Sequence, residues 1–138
     1  MANRHQEAVA ECALHRCEYC HLPAKFSQLR FVCDHIIARK HGGGDEPENL
    51  AYSCPHCNSH KLDNIAGLDS SSNDPVWLFN PRRDIWSEHF RWEGAHLLGL
   101  TAIGRTTVRV LAVNNLNRLR VRRALMTEGV VFESSRIP

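Results

Sequence analysis

Apolar positions recur at helical spacing near the start of the chain. Residues 4–16 bring Val9, Cys12 and Ala13 near one face and predict a helix. A tight turn is expected at Cys17–Cys20, followed by a polar loop through Gln28. Leu29–Val32 is apolar and predicts a strand entering Cys33, Asp34 and His35, and Ile36–Arg39 predicts a second strand. The segment HGGGDEPEN (41–49) carries three glycines, which forbid a regular element, so a flexible loop is expected there. Leu50–Ser53 leads into Cys54, where a helix is expected to start and run past Lys61. Pro55 suits its first turn, in which a missing N–H costs nothing. DSSSND (69–74) reads as an exposed loop. Asp84–Trp92 and His96–Leu100 predict two strands around the turn Glu93-Gly94-Ala95. Thr101 is placed to cap a helix in which Ile103, Thr107, Val110 and Leu111 share a face. Asn114 or Asn115 is placed to cap a last helix that stops near Gly129. The mixture of short strands and helices predicts the α+β class.

At 138 residues the chain is sized for a single domain, 1–138, with a modest core. No stretch approaches the ~18 apolar residues that a membrane span needs. The start, MANRHQEAVAEC, lacks the apolar centre of a secretory signal. A cytoplasmic, reducing location is therefore expected, and cysteines there are better read as metal ligands than as disulfides. The net charge of +2 is unevenly spread: residues 1–100 hold ten Lys or Arg against thirteen Asp or Glu, and 101–138 hold seven Arg against two Glu. Such a basic end suits a polyanionic partner, although arginines on a solvated helix face give the same composition.

Two CxxC pairs, Cys17/Cys20 and Cys54/Cys57, supply four thiolates, enough to complete a tetrahedron about Zn²⁺. The 33 residues between the pairs are more than a simple zinc ribbon uses, so the ion would clamp distant segments and enclose what lies between. Four sulfurs leave no open coordination position, which makes such a zinc structural. Cys12 and Cys33 are most simply small buried side chains.

Between and just after these ligands lie Asp34-His35, Asn49 and Asn58. The run FVCDHIIARKHGGGDEPENLAYSCPHCNSHK resembles the HNH nuclease motif in its zinc-stapled version. The resemblance implies a ββα-metal (His-Me finger) core over 17–62, preceded by a helix. Residues 75–138 would add a β-hairpin and an arginine-rich helical extension. It implies a metal-dependent endonuclease that hydrolyses DNA phosphodiesters, with His35 as base and Asp34 as ligand for a catalytic Mg²⁺ or Mn²⁺. Asn49 would tie down the loop and orient the base. Asn58 holds the last motif position, where many members carry histidine; its amide oxygen can ligate a divalent ion without adding charge.

The chemistry agrees with these roles. Phosphodiester hydrolysis needs a nucleophile made from water and charge neutralisation at phosphate, and imidazole titrates near neutral pH. Adjacent residues on a regular strand point to opposite faces, so a bend is expected where Asp34 and His35 act together. Lys61, Arg82, Arg83, Arg105, Arg109, Arg118 and Arg122 are candidate contacts to DNA, mainly to its backbone. Cutting both strands would take a homodimer or two encounters. The alternative is a non-catalytic, zinc-stabilised module that binds nucleic acid.

Overall fold

The computed structural model describes residues 3–133. Helix α1 (Asn3–Cys12) is followed by strands β1 (Val32–His35) and β2 (Leu50–Ser53) and by helix α2 (Pro55–Lys61). A short hairpin, β3 (Ala66–Leu68) and β4 (Pro75–Trp77), comes next, then a helical turn α3 (Trp86–His89). A third hairpin, β5 (Phe90–Glu93) and β6 (His96–Gly99), leads into helices α4 (Ala102–Val110) and α5 (Leu116–Thr127). The described residues form an α+β arrangement with three two-stranded antiparallel sheets.

Strand β2 is buried along its whole length, and its partners set the register: Val32 faces Ser53, Cys33 faces Tyr52, Asp34 faces Ala51 and His35 faces Leu50. Helix α1 packs on this pair and α2 contacts β1, so the hairpin is enclosed by helices. Helix α2 starts on Cys54, whose sulfur accepts from the Cys57 N–H, and Pro55 occupies its first turn. One apolar cluster runs from Val9 and Ala13 through Phe31, Leu50 and Cys57 to Phe90, Trp92, Leu111 and Phe132, so the C-terminal helices share the core of the first half. Fully burying a Leu or Phe in it contributes roughly 1.5–3 kcal/mol. Helix α4 lies close against β6 through two glycines: a Cβ on Gly104 would come within 2.1 Å of the His89 carbonyl oxygen, and one on Gly99 within 2.3 Å of the Arg105 nitrogen.

Several sequence expectations are corrected. The first helix stops at Cys12, because Leu14 and His15 take positive φ (56° and 55°) and turn the chain back; Cys12 is exposed, not buried. The strand before Cys33 begins only at Val32, and Leu29 is 69% exposed. Ile36–Arg39 is not a strand; the true partner of β1 is Leu50–Ser53. Helix α2 ends at Lys61 rather than passing it, since Leu62 has φ 52°. Asp84–Trp92 divides into the turn α3 and the strand β5. In the loop 69–74, Asp69 is buried, receives two hydrogen bonds of 2.9 Å from Arg105, and is thereby lowered to a pKa of about 2. The expected caps are found at Thr101, which accepts from Gly104 N–H, and Asn115, which accepts from Arg118 N–H; Gly129 follows α5 with φ 94°.

Candidate functional site

The four cysteines predicted from their spacing lie together. Cys17, Cys20, Cys54 and Cys57 are all buried and their sulfurs sit within 4.8 Å of one another. Zn–S bonds of about 2.3 Å in a tetrahedron put sulfurs roughly 3.8 Å apart. Cys20 Sγ and Cys54 Sγ are 3.7 Å apart. In each CxxC the fourth residue's N–H points at the first sulfur, from Cys20 to Cys17 at 3.5 Å and from Cys57 to Cys54 at 3.4 Å. Hydrogen bonds from the other thiols, Cys17 first, pull the Cys20 thiol well below its ordinary range, and those from Cys17 and then Cys20 push Cys54 and Cys57 up. Four crowded, buried thiols cannot all ionise unaided, and a dication relieves that repulsion. The donor set fits, and the cluster can hold zinc.

The rest of the fold is tied to this cluster through Glu18, His21 and His56. Glu18, inside the first CxxC, accepts from the Tyr52 N–H at 2.8 Å and pairs with Arg82. Burial pushes its carboxyl up, against the opposing hydrogen bond from Tyr52 and the charge of Arg82. His21 stacks on Trp86 with ring centres 4.0 Å apart. The His56 Nε2–H donates to the carbonyls of Leu111 and Ala112, at 2.9 and 3.1 Å, joining α2 to the end of α4.

Strand β1 ends on the Asp34-His35 pair, and the chain after it is held by Asn49. The Asn49 carboxamide accepts from Ile37 N–H at 2.9 Å and donates to Ile37 O at 2.9 Å and to Gly44 O at 2.8 Å. Its own carbonyl accepts from Ile36 N–H at 2.8 Å. A side chain thus takes the bonds that a second strand at 36–39 would have used, which is why that strand does not form. The loop 41–49 is correspondingly tied at both limbs, with 3-10 turns at Arg39–His41 and Pro47–Asn49. Gly43 makes the close passage possible, since a Cβ there would meet Ile37 O at 1.8 Å and Asn49 Nδ2 at 2.7 Å.

This folding-back brings Asp45 to His35. Asp45 Oδ1 lies 2.8 Å from His35 Nε2 and 2.9 Å from Arg39 Nε, and these two donors, His35 first, hold the Asp45 carboxyl below its usual value. Asp34 turns instead to α2. Its Oδ2 lies 3.0 Å from Lys61 Nζ, and Lys61 also donates to the His35 carbonyl at 2.9 Å. Burial pushes the Asp34 carboxyl up, with the Lys61 ammonium opposing. Asn58 stands three residues before Lys61, on the same face of α2. Among the described residues nothing hydrogen-bonds its side chain. Asp45 was missed because the acidic residues of DEPEN give no spacing that marks one of them.

The predicted DNA contacts separate. Lys61 and Arg122 are each 2% exposed, which removes both from the surface. Arg122 donates to Ala95 O, Val113 O and Asn114 Oδ1 and lies over the Trp92 ring, so it braces α5 against the β5–β6 turn. Arg105 is bound to Asp69, Arg82 to Glu18, and Arg118 is half-buried. Arg83 and Arg109 are exposed. Arg136, counted in the basic end, lies outside the described residues. A groove of about 1050 Å³ between α1, residues 24–31 and the β1–β2 pair has His35, Arg30 and Tyr52 in its walls. Among the described residues no helix is long and apolar enough to cross a membrane.

No curated protein and no solved structure matches the chain. A family does: residues 17–64, which hold the cysteine cluster, the Asp34-His35 strand, the Asn49 tie and Asn58, match the family model described as HNH endonuclease.

Proposed function

We propose that the chain is a DNA endonuclease that hydrolyses phosphodiester bonds, with His35 as general base and one divalent cation, Mg²⁺ or Mn²⁺, at Asp34 and Asn58. An HNH domain points to a nuclease or a nucleic-acid-binding role. The observation that favours the nuclease is the His35–Asp45 contact at 2.8 Å, on the residue that follows Asp34 at the end of β1. The donor set suits a hard cation: Asp34 offers a carboxylate oxygen, and Asn58 an amide oxygen that no described residue hydrogen-bonds. A divalent ion held by Asp34 and Asn58 would supply positive charge to offset the negative charge of the phosphate being hydrolysed.

The protein's own part centres on one imidazole. A carboxylate only accepts, so His35 Nε2 carries the proton shared with Asp45, and Nδ1 keeps a lone pair. Nδ1 takes the proton of an in-line water, and Asp45 stabilises the imidazolium that results. Attack by that water on phosphorus expels the 3′ oxygen and leaves a 5′-phosphate. Asn49 keeps residues 37 and 44 together, which keeps Asp45 within reach of the ring. The four-cysteine zinc is a staple in this reading. It would bring the segment before β1 to the start of α2, and the core shared from Val9 to Phe132 supports reading 1–138 as one domain. The groove beside His35, with Arg30, and the exposed Arg83 and Arg109 are the places for backbone contacts to DNA.

One observation favours the second reading, a binding module without chemistry: Asp34 is buried and already paired with an internal ammonium. Supercoiled plasmid incubated with the protein in Mg²⁺, Mn²⁺ or EDTA separates the two. Nicked or linear DNA in either metal and intact DNA in EDTA are expected. Shifted but unbroken plasmid under all three conditions would establish the module instead.

A further inference from the structure

Lysine is rarely sealed inside a protein, because its ammonium loses its water and must find partners. Lys61 is 2% exposed, and its partners are two: Asp34 Oδ2 at 3.0 Å and the main-chain oxygen of His35 at 2.9 Å. Both belong to the pair at the end of β1, whereas Lys61 is the last residue of α2. The helix stops immediately beyond it at Leu62, and Lys40 pairs with Asp63 at 2.8 Å, which holds the chain just past the lysine. A phosphate-binding lysine presents its ammonium to solvent; this one points inward.

We propose that Lys61 is a positioning residue, whose ammonium locks the Asp34 carboxylate and the backbone of His35 into one arrangement and leaves Asp34 Oδ1 as the oxygen offered to a cation. The inference rests on the nuclease reading for its consequence in catalysis, but its geometry stands without it. Lys61 links the strand that carries Asp34 and His35 to the helix that carries Asn58, so the spacing between these groups is held through one side chain. Because the ammonium also repels a dication, it would restrain how tightly the cation binds while keeping it in place.

Two variants test this, Lys61→Met, which keeps much of the side-chain length without the charge, and Lys61→Arg, which keeps the charge. Zinc content and far-ultraviolet circular dichroism first establish that each is folded. For Lys61→Met, kcat for plasmid cleavage is expected to fall by about 10–100-fold, as for other residues that orient metal ligands, with KM for DNA unchanged. Mn²⁺ titrated into DNA-free protein, followed by electron paramagnetic resonance, is expected to bind at least about 10-fold more tightly to Lys61→Met once the repelling charge is gone. Lys61→Arg should keep an Mn²⁺ affinity near that of the wild type. A raised KM with a weaker salt dependence and unchanged kcat would make Lys61 a DNA contact and overturn the proposal. A lower melting temperature with wild-type kcat and Mn²⁺ affinity would reduce it to a stabilising ion pair. If the wild type binds Mn²⁺ but cuts nothing, the nuclease reading fails and the affinity shift still decides the role of Lys61. If the wild type binds no Mn²⁺, both fail.

Discussion

His35→Ala is expected to lower the rate of plasmid cleavage by about 10²–10⁴-fold, the usual contribution of a positioned general base. DNA affinity should stay within a few-fold of the wild type, because the exposed arginines are untouched. The expectation comes from position. His35 is the one imidazole at the end of β1, half-buried, and its Nε2 is held 2.8 Å from a carboxylate. The other histidines near the cysteine cluster are otherwise engaged: His21 stacks on Trp86, and the His56 Nε2–H donates to two carbonyls. Single-turnover cleavage with protein in excess measures the chemical step, and a filter-binding curve at the same salt measures affinity. A variant that cuts at the wild-type rate would remove His35 from the chemistry.

Loss of the cysteine cluster should have the largest effect on folding. Structural zinc sites supply about 10–16 kcal/mol of apparent binding energy. A domain of this size has a net stability of only about 5–15 kcal/mol. Cys57→Ser, or prolonged treatment with a chelator, is therefore expected to unfold the chain at room temperature rather than merely loosen it. The cluster anchors both the first turn after α1 and the start of α2, so β1 and β2 would lose the segments on either side. Circular dichroism together with zinc analysis by mass spectrometry checks this. Retained secondary structure in metal-free Cys57→Ser would mean that the apolar core alone holds the fold.

The parts of the molecule that could be read from the sequence are those governed by local rules. Two CxxC pairs name their own partners, because a tetrahedral ion needs four donors and a turn can present two. Thr101 was legible as a cap and Asn115 as one of two candidates beside Asn114, since capping depends on residues only three positions away. The second strand was not legible. Ile36–Arg39 and Leu50–Ser53 are both short apolar runs, and what rejects the first is the Asn49 carboxamide reaching back twelve residues to Ile37. Lys61 and Arg122 misled for a related reason. A charged residue on a helix reads as solvated, and both are buried by contacts far away in the chain, with His35 and Asp34 in one case and Ala95 in the other. Asp45 stands ten residues from the ring it touches, a separation that no periodicity predicts.

Soaking crystals of the protein in Mn²⁺ and recording anomalous scattering at the manganese and zinc edges tests the proposed site most directly. The expected map has a zinc peak among Cys17, Cys20, Cys54 and Cys57. A separate manganese peak should lie within bonding distance, about 2.1 Å for a hard divalent ion, of Asp34 Oδ1 and Asn58 Oδ1, with His35 beside it. Manganese bound elsewhere, or a map with no such peak and Lys61 alone on Asp34, would contradict a catalytic metal centre built on these residues.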